Sequence, residues 1–296
     1  MKWLGIGGEW FHDAGITLLD ENGNIEFATL AERYSGRKHD AIIPRELLQT
    51  YMQIPNTKWM CHDDWNVRLE FRKGFRQEWI KEEHGLDQPP WNQHPSLREN
   101  FHSTLHHHSH AAAAFMTRPQ SFDKEDCVMV VIDGIGEFRS VMVVDSNFNT
   151  VHEQSFPKSI GYTYANFTDQ MPRMHLKSNE DEYVTMGFSC YGEPTHWKQF
   201  YEMFQCIPEY TIEEQDGWED FTWAEKVEAK KIHITKMIDY LFRECTSIED
   251  AAASLQRGTE ELIYDIMVEA RKYGKKLCYS GGVAQNIMAN SRMRDL

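Results

Sequence analysis

The stretch "CVMVVIDGIGEFRSVMVVDSNFNTVHEQSF", residues 127–156, contains the pattern that decides the fold. An apolar run leads to a glycine turn at Gly134 and Gly136, a second apolar run follows, and a turn rich in Asp, Ser and Asn precedes a third run. Short apolar runs bounded by turn residues are typical of β-strands. The stretch therefore predicts three consecutive strands. Its glycine turn lets the backbone approach a ligand, and exposed amides in such turns suit phosphate oxygens.

The same layout occurs at the N-terminus, about 125 residues earlier in the chain. "KWLGIGG" and "AGITLLD" are apolar runs, Asn22-Gly23 supplies a turn, and "IEFATLAER" alternates between apolar and polar residues. Two copies of such a unit predict two related lobes around a cleft. The alternative is a pair of unrelated hairpins, since a glycine turn between strands is common.

Helical patterns and one further strand complete an α/β arrangement. Helices are predicted after Pro44, over residues 97–116, and over most of residues 196–273, where Gly274 ends the last one. That last helix carries apolar residues near one face: Ala252, Leu255, Leu262, Ile263, Ile266 and Met267. "KKLCYSGGVAQN" then predicts a buried strand entering a double-glycine turn. We predict a first lobe over residues 1–120 and a second over 121–296, with the second incomplete because the chain stops soon after this turn.

Composition excludes several classes of protein. The 296 residues are 41% hydrophobic and 26% charged, as in a water-soluble globular protein, and no apolar run is long enough to cross a bilayer. The formal net charge of −15 argues against an extended nucleic-acid surface, which needs basic residues. Six dispersed cysteines without a C-x-x-C pair argue against a zinc knuckle or a disulfide framework. We predict a cytoplasmic protein.

Residues 103–115, "STLHHHSHAAAAF", hold four histidines in five positions. In a helix, His106 and His110 lie four residues apart on one face, close enough for two imidazoles to bind one metal ion. His102 would lie a further turn away on that face. Two histidines are not a complete site, because a metal ion needs at least a third ligand, often a carboxylate. The alternative is a partly exposed His-rich helix without a ligand.

Acidic residues and one further histidine stand at the glycine turns. His12 is followed by Asp13 and is a candidate general base, since the unperturbed pKa of histidine, ~6.5, suits that role. Asp133 ends the apolar run before Gly134 and could hold a metal ion or water near a phosphate; Glu137 follows the same turn. The alternatives are a loop histidine bonded to backbone and a turn aspartate bonded to its own backbone.

Six segments, in order along the chain, resemble the NodU/CmcH family of O-carbamoyltransferases. They are "LGIGGEWFHDAGITLLDENG", "LAERYSGRKHDAIIP", "HHHSHAAAAF", "VIDGIGEF", "EYVTMGFSCYGEP" and "LCYSGGVAQNIMAN". The resemblance implies an actin/Hsp70/sugar-kinase-like (ASKHA-like) α/β fold with duplicated lobes, akin to the tRNA threonylcarbamoyl-transferase subunit.

The resemblance also implies a reaction. A separate C-terminal domain makes carbamoyl adenylate from carbamoyl phosphate and ATP, and the N-terminal lobes pass the carbamoyl group to a hydroxyl of a small-molecule or nucleotide acceptor. His106 and His110 would be metal ligands, with iron as the expected divalent metal, and His12 would be the base that takes the acceptor's proton. The adenylate pocket would be lined by Asp133, Gly134, Gly136, Gly281, Gly282 and Asn286.

This sequence departs from the family pattern in two places. Val184 stands where a lysine is usual, which puts one anion contact in doubt. The family's aspartate ligand beyond the Gly-Gly-Val turn and the adenylate-forming domain are expected to lie outside this chain, on a further part or a second polypeptide. One alternative is a non-catalytic nucleotide-binding scaffold derived from such an enzyme, which these departures favour. Another is a sugar kinase or ATPase of the same fold, which the His-x-x-x-His pair speaks against.

Overall fold

The strand that begins the quoted stretch is buried on both of its faces. In the computed structural model, Cys127 to Ile132 have no exposed surface. Val128, Val130 and Ile132 belong to one apolar cluster, whereas Cys127, Met129 and Val131 belong to another. Because successive side chains of a strand point to opposite faces, both faces of the sheet at this strand are covered.

The structure describes residues 1–7, 13–40, 42–61, 101–136, 139–208, 231–294 and 296. Contacts divide the chain into two compact units, Met1–Ser109 and His110–Leu296. The domain boundary predicted at residue 120 stays a prediction. None of the helices in the described ranges is both long and apolar enough to span a membrane.

The first unit contains a five-stranded mixed sheet. Its strands are β1 (Lys2–Gly7), β2 (Gly15–Leu19), β3 (Ile25–Leu30), β4 (Thr57–Cys61) and β5 (Phe101–Ser103), and its helices are α1 (Glu32–Ser35) and α2 (Arg45–Met52). The strand order is β3-β2-β1-β4-β5. Strands β1, β2 and β3 pair antiparallel, whereas β4 and β5 add in parallel. Leu4, Ile16 and Leu18 form its core with Ile43 and Leu48.

Helix α3 (His106–Met116) carries the chain from the first unit into the second. The second unit holds β6 (Cys127–Gly136), β7 (Arg139–Val144), β8 (Thr150–Ser155) and β9 (Lys276–Ser280). Its helices are α4 (Ile160–Gln170), α5 (Glu182–Phe188), α6 (Trp197–Gln205), α7 (Ile232–Glu244), α8 (Ile248–Ala270) and α9 (Ile287–Met293). The six apolar residues predicted to share one face of α8 are all buried, which confirms that prediction.

The second sheet repeats the strand order of the first. Its order is β8-β7-β6-β9, with β6, β7 and β8 antiparallel and β9 parallel to β6. In both units the first strand therefore pairs antiparallel with the second and parallel with a strand that follows later. This repetition confirms the predicted α/β fold with duplicated lobes.

The polar turn of each copy is built in the same way. Asp20 Oδ1 accepts hydrogen bonds from the backbone N–H groups of Asn22 and Asn24, both at 2.8 Å. Asp145 Oδ1 accepts from those of Asn147 and Asn149, both at 2.9 Å. The sequences "DENGN" and "DSNFN" share the pattern D-x-N-x-N. Gly23 and Phe148 take corresponding left-handed positions, with φ of 84° and 63°.

The helix predicted over residues 97–116 is wrong at residues 101–103, and its residues 97–100 lie outside the described residues. Phe101–Ser103 is a strand that pairs in parallel with Trp59–Cys61, and α3 begins only at His106. Pairing with the edge of the sheet outweighs the local helical pattern, which sequence periodicity alone could not reveal. His102 therefore lies on a strand, not one helical turn before His106.

Candidate metal centre and nucleotide edge

Helix α3 presents two histidines one turn apart. His106 and His110 lie on this continuous helix, so the spacing of the two residues is set by the helix itself. Ala111 has no exposed surface and packs with Met129, Val131 and Cys278 of the second sheet. Its small side chain lets the helix approach the strands closely.

A hydrogen bond fixes the helix at the level of the second histidine. Ser280 Oγ, at the end of β9, donates to the backbone carbonyl of His110 at 2.9 Å. Ser280 also pairs in the sheet with Val131, two residues before Asp133. The end of β9, the end of the apolar run in β6 and the first half of α3 are thus tied together.

Asp133 faces His110 from the end of this apolar run. His110 Nε2 lies 3.0 Å from Asp133 Oδ2, and the other carboxyl oxygen accepts a hydrogen bond from the Gly134 N–H at 2.7 Å. Only 19% of the Asp133 side chain is exposed. The carboxylate is therefore oriented by its own backbone on one side and by the imidazole on the other.

One donor atom from each of His106, His110 and Asp133 lies within 4.8 Å of the other two. Two imidazoles and a carboxylate are a donor set that suits divalent transition metals, and in particular non-haem Fe(II). All three side chains are neither deeply buried nor fully exposed, so an ion could reach them. The residues present fit a divalent cation, and metal binding by them stays a prediction.

From the residues alone, Asp133 could hold a metal ion or water near a phosphate, whereas the family resemblance assigned it to the adenylate pocket and gave the metal site only His106 and His110 from this chain. The structure instead brings Asp133 together with both predicted histidine ligands. The contact depends on how α3 packs against the second sheet, so it could not be read from local spacing.

The double-glycine turn lies directly against the Asp133 segment. Gly281 has φ of 97°, and a β-carbon on it would lie 2.3 Å from the carbonyl oxygen of Ile132. A β-carbon on Gly282 would lie 3.0 Å from Asp133 Oδ1. Only glycine fits the first position, and glycine leaves the carboxylate accessible at the second.

In the glycine turn that leads from β6 to β7, the space beside the α-carbon of Gly134 is open. A β-carbon on Gly134 would meet nothing within 4 Å, and Gly136 pairs with Arg139 in the sheet. The predicted pocket residues Asp133, Gly134, Gly281 and Gly282 are thus neighbours at one end of the second sheet. Glu137 lies outside the described residues.

The side chain of Asn286 forms hydrogen bonds with other residues of the protein. Its side-chain oxygen accepts from the Ala289 N–H at 3.0 Å and so caps α9. Its amide also exchanges hydrogen bonds with Gln256, at 3.1 and 3.0 Å. These bonds fix the turn that follows the double glycine, while a contact of Asn286 with a nucleotide stays a prediction.

Ser159 and Gly161 contact the backbone of Asp133 and Gly134, and neither residue was singled out from the sequence. Ser159 caps α4 by accepting from the Tyr162 N–H at 3.0 Å, and its hydroxyl donates to the Gly134 carbonyl at 2.5 Å. A β-carbon on Gly161 would lie 2.8 Å from the Asp133 carbonyl oxygen. A serine before a helical pattern was a recognisable capping signal, whereas the close approach at Gly161 was not.

The buried phenol of Tyr279 has a raised pKa. Burial raises the pKa of Tyr279 on β9, and the negative charge of Asp133 raises it further. The phenol therefore keeps its proton at neutral pH and can only act as a neutral hydrogen-bonding group.

The predicted base lies outside the described residues. His12 falls in the segment between β1 and Asp13 that the structure does not describe. Its role as base therefore stays a prediction. Val184, where the family has a lysine, lies on α5.

The sequence profile of a family described as Carbamoyltransferase N-terminus matches residues 72–296. An uncharacterized protein of Synechocystis sp. is 31% identical, with 98% of this chain and 52% of that protein aligned. Nodulation protein NolO of Bradyrhizobium diazoefficiens is 27% identical over 64% of this chain and 32% of that protein. Nodulation protein NolNO of Sinorhizobium fredii is 25% identical over 98% of this chain and 43% of that protein. The chain spans about half or less of the length of these relatives.

Solved structures align over the whole chain at low similarity. An activator of 2-hydroxyisocaproyl-CoA dehydratase from Clostridium difficile with bound ADPNP gives a TM-score of 0.45 at 12% identity, with 85% of that chain covered. A Listeria monocytogenes protein described as an N-acetylmannosamine kinase gives 0.33 at 13% identity, with 90% covered.

Proposed function

The chain belongs to the carbamoyltransferase N-terminus family, and from this premise we propose that it transfers a carbamoyl group from carbamoyl adenylate to a hydroxyl of an acceptor. Membership of this family supports carbamoyl transfer in general terms. The adenylate donor, the hydroxyl acceptor and the roles of individual residues are the proposal. In the complete protein, carbamoyl phosphate and ATP would supply the donor, through a further part of the polypeptide or a second polypeptide.

The observation that carries the proposal is the group of three donors beside two glycine turns. His106, His110 and Asp133 lie within reach of one ion, and Gly282 adjoins the Asp133 carboxylate. A bound divalent cation, which we propose to be Fe²⁺, would polarise a carbonyl oxygen or neutralise phosphate charge there. A sugar kinase of this fold would not require the two histidines.

The chain's backbone would hold the phosphate of the adenylate. Gly134 has open space around its α-carbon, Gly281 approaches the Ile132 backbone closely, and Gly282 leaves no side chain between its backbone and the Asp133 carboxylate. Amide groups in glycine turns are suited to phosphate oxygens. We therefore assign Gly134, Gly136, Gly281 and Gly282 to the nucleotide, with Asn286 securing the second turn.

In the proposed step the acceptor oxygen attacks the carbamoyl carbon. A carbon–oxygen bond forms to the acceptor, the bond between the carbamoyl carbon and the phosphate oxygen breaks, and AMP leaves with that electron pair. The acceptor's proton passes to a base, for which His12 is the candidate. The products are a carbamate ester and AMP.

The acceptor is a small hydroxylated molecule or a nucleotide in this proposal. The net charge of −15 disfavours a long polyanion, because the surface would repel its phosphates. A sugar, an antibiotic-like molecule or a modified nucleotide carries the required hydroxyl without that penalty.

The test supplies the complete protein with [¹⁴C]carbamoyl phosphate, ATP and hydroxyl probes: D-glucosamine, glycerol and adenosine. We expect label to enter at least one probe, and AMP to be released in equal amount. Asp133→Asn should lower transfer by about 100-fold, the order of loss found when one preorganised polar group is removed from an active site.

Two results would contradict the proposal. Nucleotide binding without label transfer to any probe would favour the non-catalytic scaffold. Phosphorylation of a probe, with ADP as the product, would favour a kinase.

A further inference from the structure

A buried glutamine on α8 holds the side chain that follows the double-glycine turn. Gln256 is only 2% exposed. Its Nε2 donates to Asn286 Oδ1 at 3.1 Å, and its Oε1 accepts from Asn286 Nδ2 at 3.0 Å. Asn286 follows Gly282 by four residues. The two amides thus form a closed pair of hydrogen bonds between α8 and the turn.

The remaining hydrogen-bonding capacity of Gln256 is also used. Its Nε2 donates to Glu260 Oε1 at 2.9 Å, and Tyr164 on α4 donates its hydroxyl to Oε1 at 2.9 Å. Burial, and next the negative charge of Glu260, raise the pKa of Tyr164, so the phenol keeps the proton that it donates. A side-chain amide has two N–H donors and two lone pairs on its oxygen. All four are engaged in Gln256, so the orientation of this side chain is fixed.

The partners identify the oxygen and the nitrogen of both amides. Glu260 lies 3.7 Å from the Arg292 guanidinium and, as a carboxylate, can only accept. The Gln256 atom beside it is therefore the nitrogen. The Ala289 N–H can only donate, so the Asn286 atom that it contacts at 3.0 Å is the oxygen. A flip of either amide would place a donor against a donor or an acceptor against an acceptor.

One donor of Asn286 is left for a ligand. Its oxygen accepts two hydrogen bonds, and its nitrogen donates one, to Gln256. The second N–H of this nitrogen has no partner among the residues that the structure describes. Asn286 is partly exposed and lies between two exposed residues, Gln285 and Ile287. The fixed amide therefore offers a hydrogen-bond donor, not an acceptor, close to the double-glycine turn.

The helix that carries Tyr164 also supports the other glycine turn. Ser159, the cap of α4, donates to the Gly134 carbonyl at 2.5 Å. Tyr164 lies on the same helix, and its hydroxyl reaches Gln256. These bonds, together with those between Gln256 and Asn286, connect the two glycine turns through side chains of the second unit alone.

We propose that Gln256 is a positioning residue of the nucleotide site. It fixes the Asn286 amide so that the remaining N–H donates to a hydrogen-bond acceptor of the bound nucleotide. This assignment rests on the proposed function, which places the adenylate at the double-glycine turn. Gln256 acts through Asn286 and does not itself contact the ligand. A fully satisfied buried network specifies one geometry, whereas an apolar side chain would fill the same space without orienting the amide.

The test measures the Kd of AMP by isothermal titration calorimetry in the wild-type protein, Gln256→Leu, Asn286→Ser and the double variant. We expect each single variant to raise the Kd about 10-fold, the order that one hydrogen bond contributes. Asn286→Ser keeps a capping oxygen for α9 but loses the amide N–H. The double variant should bind AMP no more weakly than Asn286→Ser alone, because Gln256 acts through Asn286.

Ser254→Ala is the matched control on the same helix. Ser254 has no exposed surface, and its hydroxyl accepts from the His196 N–H at 3.0 Å. This variant also loses a buried hydrogen bond, but it should leave the Kd of AMP unchanged. Tyr164→Phe keeps the packing and removes one bond to Gln256, so it should raise the Kd about 3-fold. It tests the same network if Gln256→Leu does not fold.

Four outcomes separate this assignment from the proposed function. Effects of the two single variants that multiply in the double variant overturn the assignment, as does equal weakening in Ser254→Ala and Gln256→Leu. An unchanged Kd in Gln256→Leu and Asn286→Ser refutes the assignment alone. The expected Kd values in a protein that transfers no carbamoyl group support the assignment and refute the proposed transfer. A wild type that does not bind AMP refutes the nucleotide site, and this assignment with it.

Discussion

Asp145 illustrates how single side chains define the repeated turns. The Asn149 amide donates to Asp145 Oδ2 at 3.0 Å, and the Asn149 backbone N–H donates to Oδ1. The bond from the Asn149 side chain is the main cause that lowers the pKa of Asp145 below its ordinary value. A lowered pKa contributes stability above the unfolded-state pKa, and that contribution is lost as the pH falls through the folded-state pKa.

Asn149→Ala should therefore destabilise the protein at pH 7 and much less at pH 2.5. We expect a loss of no more than about 1 kcal/mol in the free energy of unfolding at pH 7, because the turn is exposed to solvent. Urea titrations at the two pH values measure the difference. Asn147→Ala is the control, since Asn147 donates to Asp145 through its backbone. An equal loss at both pH values would contradict the ionic origin of the effect.

Gly281 and Gly134 both lie beside the end of the apolar run in β6 but differ in the space around them. Gly281→Ala should lower the free energy of unfolding by about 3 kcal/mol, because a left-handed conformation and a clash with the Ile132 carbonyl both oppose a β-carbon. Gly134→Ala should change it by no more than about 0.5 kcal/mol. Thermal unfolding of both variants makes the comparison. Equal stabilities would show that the double-glycine turn does not pack against β6 as described.

At the scale of elements, α3 determines the distance between the histidines and Asp133. Ala111 is fully buried against the second sheet, whereas Ala113, two residues later, is exposed. The four consecutive alanines after the histidines therefore differ in burial, although the sequence alone does not distinguish them.

Ala111→Leu should push α3 away from β6 and β9 and weaken binding of any metal. We expect a loss of about 1–3 kcal/mol in the free energy of unfolding, typical of an overfilled core, together with reduced retention of Fe²⁺ during dialysis. Ala113→Leu is the matched control and should leave both unchanged. Equal metal retention in the two variants would contradict the role assigned to helix packing.

The sequence predicted the elements well where the pattern is local. The strands around Gly134, the long helix before Gly274 and the His106–His110 spacing depend on periodicity and turn residues within about twenty positions. The strand at residues 101–103, the contact between Asp133 and His110, and the hydrogen bonds of Gln256 with Asn286 depend on partners distant in sequence. Nothing in local spacing indicates which distant segments meet, so these features required the structure.

At the scale of the whole molecule, the two units share a strand order but carry different polar groups. The first unit presents Asp13 and His39 at the carboxyl edge of its sheet, and the second presents Asp133 beside the double-glycine turn. Duplication accounts for the common framework.

The most direct test of this account is the metal content of the protein after anaerobic incubation with Fe²⁺ and gel filtration. We expect about one iron per chain in the wild type, and about ten-fold less or lower in His106→Ala, His110→Ala and Asp133→Asn. His233→Ala, which removes a histidine from α7, should retain the wild-type content. Wild-type iron content in all three site variants, or no retained iron in the wild type, would contradict the assignment of His106, His110 and Asp133 as one metal centre.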